Sequence, residues 1–364
     1  MTDELKVGIV GVNRGRAFGP ALKACAATRV TAVCDSDPDQ LKAVGPEFGE
    51  VQLFGRYQDL LESGIDMVIV ATPMHLHAPM SVAALERGIH VLSEVSAAVS
   101  LAQCHELVRA ARASSAKYMM GENCCYFKEY MLVKQMARAG LFGETYYAEG
   151  DYVHEIKHAP GTGHWRDKWL FGRLGATYTT HPLGPVLAWM DDYVVSVNCL
   201  GTGAHVQPGL HVDDSSIMLC RTAKGGLVKI RNDMMSPRPH THNYVALQGT
   251  GGVYEAARHP EDSHRVCLDA SKGDGIDKVW QSLWDFEEKY LPETWRNPSE
   301  EAKRAGHGGS DYFCVLDFVE AILNDADPPI DVYRALDFTV PGLMSEISVG
   351  QGGAPVVVPN FRFV

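Results

Sequence analysis

Tyr178 and His181 stand three residues apart in Gly175-Ala176-Thr177-Tyr178-Thr179-Thr180-His181-Pro182. An imidazole has an unperturbed pKa near neutrality, so His181 suits the removal of a proton from a hydroxyl. A phenol acts as a base only where a cation or a cofactor charge lowers its pKa, and Tyr178 is a candidate for such a role. An isolated Tyr-x-x-His is also what a buried helix start looks like. Other residues decide between the two readings. Val7-Gly8-Ile9-Val10-Gly11-Val12-Asn13-Arg14-Gly15 reads as a strand that turns on glycine into a helix, where a backbone approaches a diphosphate. The match to G-x-G-x-x-G is imperfect: Gly11 fits, Asn13 replaces the second glycine, and Gly15 comes one residue early. A strand-to-helix turn alone would account for these glycines. Asp35, at the end of the second strand, adds an acid where an adenosine ribose diol would bind. Ser36 and Asp37 follow it with no arginine, which favours NAD over NADP.

Two further groups sit where such a sheet presents its strand ends to a nicotinamide. Thr72-Pro73-Met74-His75-Leu76-His77 follows the fourth strand, with both histidines expected on the loop, and Ser93-Glu94-Val95-Ser96 follows the fifth. Together they resemble the Gfo/Idh/MocA superfamily, whose members read Thr-Pro-x-x-x-His and then Glu-Lys-Pro. The family lysine, the usual proton-transfer group of its dehydrogenases, is here Val95, and the proline is Ser96. The second family motif ends in D-x-x-x-H; His181 matches its histidine, and Thr177 stands at the aspartate.

The departures resemble the NAD-dependent α-N-acetylgalactosaminidases of the same superfamily, which carry Tyr-x-x-His before a Gly-Pro helix. That resemblance places Glu94, Val95 and Asn123 beside the cofactor and Tyr152 and Arg166 beside the substrate. It implies a tightly bound, recycled NAD and a redox-neutral glycoside hydrolysis. A ring hydroxyl is oxidised, the neighbouring C–H becomes acidic, the glycosidic oxygen is eliminated, water adds, and the ketone is reduced again. Such enzymes stand outside the paired-carboxylate rule. Here His181 takes the hydroxyl proton and Tyr178 the C–H proton. His154 continues the Tyr152 strand as a further pocket residue. Arg166 and Lys168 alternate with tryptophans in Trp-Arg-Asp-Lys-Trp, which suits a sugar and suits an anionic one better. An N-acetyl-hexosamine follows from the resemblance only.

The elements that must position these residues change character along the chain. Short apolar runs at Val7–Val10, Val30–Cys34, Met67–Ala71, His90–Leu92 and Tyr118–Met120 alternate with helical stretches such as Pro79–Arg87 and Leu101–Ala113. This predicts a Rossmann domain over residues 1–122, an α/β doubly wound parallel sheet. Strand-like runs then follow one another at Thr145–Val153, Val194–Leu200, Ser215–Arg221, Gly226–Asn232 and Asn243–Gly249. They predict an α+β domain over residues 123–364, for substrate and oligomerisation, on a mostly antiparallel open sheet. Helices are expected at Asp311–Asn324 and Val332–Val349, and an inserted helical excursion over Lys272–Ala305. Gly306-His307-Gly308-Gly309-Ser310-Asp311-Tyr312 starts a helix with Ser310 as N-cap, and His307 is a secondary site candidate.

The 364 residues favour two domains, and 46% hydrophobic with 21% charged residues is ordinary globular composition. A formal charge of -12 argues against nucleic acid or an anionic membrane as partner. Nine cysteines without a C-x-x-C pair, and an acidic N-terminus unlike a signal peptide, point to a cytoplasmic protein. His240 and His242 alternate in Pro-His-Thr-His, but no ligand set at standard spacing accompanies them, so no metal is expected. By family resemblance the chain forms a homodimer or homotetramer. Three readings follow: a redox-neutral NAD-dependent glycosidase, a net sugar or cyclitol dehydrogenase using His181 alone, or an NAD-binding sensor that has lost its catalytic groups.

Overall fold

The computed structural model describes residues 4–158, 165–238, 241–259, 261–269 and 279–363. The chain divides into two compact units. The first comprises Met1–Tyr126, Pro298–Leu336 and Phe361–Val364; the second comprises Phe127–Asn297 and Asp337–Asn360. This differs from the contiguous division at 122/123 read from the sequence. Helix Ser310–Leu323 packs against the helix Gly19–Ala24 and the turn Asn123–Tyr126, so late sequence completes the early unit.

The first unit is built on six strands: β1 Leu5–Val10, β2 Thr28–Cys34, β3 Gln52–Phe54, β4 Met67–Val70, β5 His90–Ser93 and β6 Tyr118–Met120. Their order is β3-β2-β1-β4-β5-β6, with every pair parallel. β4 is Met-Val-Ile-Val and buried throughout, as a strand covered by helices on both faces must be. β1 lies between β2 and β4, so the strand order reverses direction there and leaves a crevice at the strand ends. Helix Pro38–Phe48 starts on Asp37, whose side chain accepts from the N–H groups of Asp39 and Gln40. Helix Leu101–Ala113 matches its expected span, and Ser100 caps it by accepting from Gln103 N–H. The helix expected over Pro79–Arg87 runs from His77 to Leu85 instead.

The second unit carries β7 Thr145–Val153, β8 Val194–Gly201, β9 Ser215–Thr222, β10 Leu227–Asp233, β11 Thr241–Gly249, β12 Gly252–Glu255, β13 Arg265–Leu268, β14 Gln281–Ser282 and β15 Val356–Val357. They form one sheet in the order β14-β13-β12-β11-β7-β10-β9-β8-β15. β7 and β10 pair in parallel and the other pairs are antiparallel. β9 shows why one face stays open: Ser216, Met218, Cys220 and Thr222 are buried, while Ile217, Leu219 and Arg221 are exposed. Helix Thr180–Met190 covers β7 and β11 on the other face, its residues buried from Thr180 to Leu187. Trp189 anchors it by donating Nε1–H to the Tyr130 carbonyl at 3.0 Å. In the region read as a helical excursion, the described part holds three short helices: Glu287–Tyr290, Glu293–Arg296 and Glu300–Arg304. Among the described residues, no helix is long and apolar enough to cross a membrane.

Candidate functional site

In the first unit the glycine turn after β1 has the geometry a dinucleotide loop needs. Gly11 sits at φ +85°, and a Cβ there would lie 2.6 Å from the Ala71 carbonyl, so only glycine fits. Its N–H donates to the Cys34 carbonyl at 3.0 Å, fixing the turn to the end of β2. Asp35, the next residue, closes the connection: Oδ2 accepts from Val12 N–H at 2.9 Å and Oδ1 from Asp37 N–H at 3.0 Å. Ionised carboxylate oxygens keep further acceptor sites, so a ribose diol remains within its capacity. The helical path after Gly11 breaks into Val12–Gly15, a tight turn Arg16–Phe18, and Gly19–Ala24. Asn13, Arg14 and Gly306 together line an open cavity of about 340 Å³. A glycine turn that a Cβ would fill, an acid at the end of β2 and an open cavity beside the loop fit a dinucleotide.

Arg14 is the hub of this half. Its Nε lies 2.6 Å from Glu94 Oε1, its terminal nitrogens lie 3.4 Å from Asp311 Oδ2, and its guanidinium sits 4.8 Å from the Phe18 ring. Burial works against its charge, but Glu94 and Asp311 outweigh that and raise its pKa. Glu94 itself follows β5; its N–H donates to the Val70 carbonyl and its Oε2 accepts from Val95 N–H at 3.2 Å. Val95 is buried and Asn123 opens the buried turn after β6.

The histidines of the Thr72-Pro73 motif occupy different positions from those expected. His75 lies in a short turn, Met74–Leu76, and its carbonyl accepts from Gln103 Nε2 at 3.0 Å. His77 is the first residue of its helix, not part of a loop, and is only 2% exposed. Its Nδ1 lies 2.9 Å from the Ser96 carbonyl and its Nε2 lies 2.7 Å from the Thr72 carbonyl. Burial lowers its pKa, against the two carbonyls and Glu94. With both ring nitrogens spent on backbone, His77 braces the two motif loops against each other; this geometry gives it no free nitrogen for a cofactor. Ser310 also departs from expectation. Gly308 and Gly309 take positive φ, Gly309 becomes the N-cap, and Ser310 is the first helical residue with its hydroxyl buried.

In the second unit four rings converge. Tyr152 comes from the covered face of β7 and is 6% exposed; His181 is the second residue of helix Thr180–Met190 and is 8% exposed. Their ring centroids lie 4.9 Å apart. Tyr178 meets His181 edge to face at 5.2 Å and Tyr152 at 5.9 Å. The Tyr152 hydroxyl and His154 Nδ1 are hydrogen-bonded at 2.9 Å. Thr177 is buried just before them. Arg166 and Lys168 lie on the short helix Arg166–Trp169, where Arg166 sits 4.4 Å over the Trp165 ring and the Lys168 ammonium 4.9 Å over Trp169. A hydrogen-bonded phenol–imidazole pair beside a second phenol and imidazole can accept and pass protons. His240 lies outside the described residues, as does the side chain of His242.

Asp311 and Phe18 escaped the sequence reading. The signal for Asp311 was present in the His307-x-x-x-Asp311 spacing, which puts both on one helical turn, but nothing in the sequence names Arg14 as its partner.

The chain was compared with known proteins. A family model described as "Oxidoreductase family, NAD-binding Rossmann fold" matches residues 5–122. "GFO/IDH/MocA C-terminal domain" matches residues 130–255, and "Glycosyl hydrolase 109, C-terminal domain" matches residues 204–363. A glycosyl hydrolase family 109 protein of Solibacter usitatus is 31% identical, over 98% of this chain and 88% of its own. One from Shewanella pealeana is 31% identical, over 99% of this chain and 86% of its own. Among solved structures, an oxidoreductase domain protein from Kribbella flavida superposes with a TM-score of 0.85 at 19% identity, covering 98% of this chain and all of its own. A levoglucosan dehydrogenase in complex with NADH and L-sorbose gives a TM-score of 0.84 at 19% identity, covering 99% of this chain and 100% of its own. At that identity the structures share the fold.

Proposed function

The chain belongs to glycosyl hydrolase family 109, within the oxidoreductase family with an NAD-binding Rossmann fold, and from that premise we propose that it is an NAD-dependent glycosidase working without net oxidation. The observation that carries this reading is the Tyr178–His181–Tyr152–His154 ring cluster in a chain where Val95 and Thr177 replace the lysine and aspartate of the related dehydrogenases.

When bound, NAD supplies a reversible two-electron acceptor for a ring carbinol. Asp35 would hold its adenosine ribose, with Gly11, Asn13, Arg14 and Gly15 around its diphosphate. Thr72, Pro73, His75, Glu94, Val95 and Asn123 would border its nicotinamide end, and His77 would fix the two loops that carry these residues. A ring nitrogen of His181 takes the hydroxyl proton as the carbonyl forms. The adjacent C–H is then acidic, and the Tyr178 phenol oxygen takes its proton. The glycosidic oxygen leaves as the C=C bond forms, water adds across that bond, and return of the electrons restores the hydroxyl. Tyr152, held by His154, orients the sugar. Arg166 and Lys168 favour a sugar carrying an anionic group, whereas family resemblance favours an N-acetyl-hexosamine. The open sheet face, with Ile217 and Leu219 exposed, supports pairing into a homodimer or homotetramer, and buried free cysteines suit a cytoplasmic setting.

The test uses purified protein and a panel of neutral and anionic aryl glycosides, with and without added NAD. Aryl alcohol release and NADH absorbance are read in the same cuvette. Release without net NADH is expected. NADH accumulating from free sugars with no aryl release would make the protein a dehydrogenase, and no reaction with NAD held tightly would make it a sensor.

A further inference from the structure

We propose that Asp311 is a positioning residue for the cofactor half-site, acting through Arg14 and, through Arg14, on Glu94. The inference rests on the cofactor reading above. The chain returns to the first unit at Pro298, and its first contribution there is not simply a packing helix. Gly308 (φ 68°) and Gly309 (φ 98°) turn the backbone so that helix Ser310–Leu323 begins with Asp311 buried, 1% exposed. A buried carboxylate is costly unless paired. Asp311 has two partners: the terminal nitrogens of Arg14 at 3.4 Å and Nδ1 of His307 at 3.1 and 3.2 Å from its two oxygens.

Arg14 is thereby held on three sides. Asp311 takes its terminal nitrogens, Glu94 takes its Nε at 2.6 Å, and Phe18 lies against its guanidinium. A planar guanidinium held at two edges has one orientation, which an ammonium would not have. Arg14 lies in the glycine loop and Glu94 at the end of β5, so this clamp joins both cofactor motifs of the unit. With Asp311 neutralised, Glu94 becomes the only carboxylate on Arg14 and is drawn from its Val95 N–H contact. Gly306 has a reason in the same arrangement: a Cβ there would lie 2.3 Å from Asp311 Oδ2 and displace the carboxylate. Its backbone, φ -52° and ψ 156°, is otherwise open to alanine.

The competing account is that Asp311 is an ordinary acid in a first helical turn, stabilising the helix irrespective of Arg14. A double-mutant cycle separates the two. The NAD dissociation constant is measured by calorimetry for the native full chain, Asp311→Asn, Arg14→Met and the double variant, with thermal unfolding of each protein without NAD. Asp311→Asn is expected to weaken NAD binding about tenfold in the native background and less than about twofold in the Arg14→Met background. Equal losses in both backgrounds, or unchanged affinity in Asp311→Asn, overturn the proposal. Should Asp311→Asn not fold, Gly306→Ala serves instead: a loss of similar size supports the proposal, and native affinity overturns it. A native chain that binds no NAD removes the cofactor reading and this proposal with it.

Discussion

The ring of Tyr152 lies 4.9 Å from that of His181, while its hydroxyl is committed to Nδ1 of His154 at 2.9 Å. Tyr152 is therefore fixed between two imidazoles, and Tyr178, edge-on to His181, is the phenol left to act as a base. The two proton transfers should separate by substitution. His181→Ala is expected to slow NADH formation in a single turnover by about 10²–10⁴-fold. Tyr178→Phe is expected to leave that phase nearly intact and to slow aryl alcohol release by a similar factor. Normal aryl release from Tyr178→Phe would remove its role.

Asp35 does two jobs, holding the Val12 N–H of the glycine turn and presenting a negative charge beyond β2. Replacing it with alanine removes charge-assisted bonds worth about 1.5–3 kcal/mol. NAD affinity is expected to fall at least about tenfold and the preference over NADP to shrink, both read by titration calorimetry. An unaltered NAD-to-NADP ratio would show that Asp35 does not select the cofactor.

Gly11→Ala places a methyl group against the Ala71 carbonyl in a left-handed backbone conformation. The backbone conformation alone costs about 1–2 kcal/mol, and the overlap adds to it. All six tryptophans lie from Trp165 to Trp295, in the second unit, so their fluorescence follows that unit alone. The variant is expected to unfold at lower urea by circular dichroism, with the tryptophan transition little changed.

His90 gives a pH dependence of stability. Its Nδ1 accepts from Lys117 N–H at 2.9 Å, which a protonated Nδ1 cannot do. Burial, then Lys117, lowers its pKa, against Asp66. The unfolded chain, with a histidine pKa of about 6.5, therefore binds the proton more readily than the folded one. The stabilisation is complete above pH of about 6.5 and is lost as pH falls toward the folded pKa, by up to about 1.4 kcal/mol per pH unit. His90→Gln should flatten the unfolding free energy between pH 7 and pH 5; an unchanged slope would show that His90 does not carry it.

The parts of the fold that the sequence announced were those with local signatures. β4 is four apolar residues in a row, and Ser100 stands just before an apolar period of 3.6. β3 escaped because Gln52-Leu53-Phe54 is a short edge strand with exposed side chains. Helix Pro38–Phe48 escaped because its apolar stripe, Leu41, Val44 and Phe48, is sparse and Pro46 interrupts it. For the site, the motifs located Glu94, Asp35 and the Tyr-x-x-His segment, since each is contiguous. They misplaced His77, because a histidine that touches a ligand and one spent on two carbonyls have the same neighbours in sequence. The Arg14–Asp311 contact spans 297 residues, and no periodicity reaches that far.

The first unit is sewn from three stretches of chain, and this has a consequence for its birth on the ribosome. Residues 1–126 emerge with the glycine turn, the parallel strands and Glu94, but without helix Ser310–Leu323 or the Ile330 carbonyl that receives the Met120 N–H. About 170 residues must follow before Pro298 appears, roughly 10–30 s at a synthesis rate of about 5–20 residues per second. Through that interval Arg14 has Glu94 but not Asp311, and the apolar side chains awaiting the last helices face water. The nascent chain is thus an unfinished nucleotide-binding domain for longer than it takes most small domains to fold, and it is in this window that chaperones would find it.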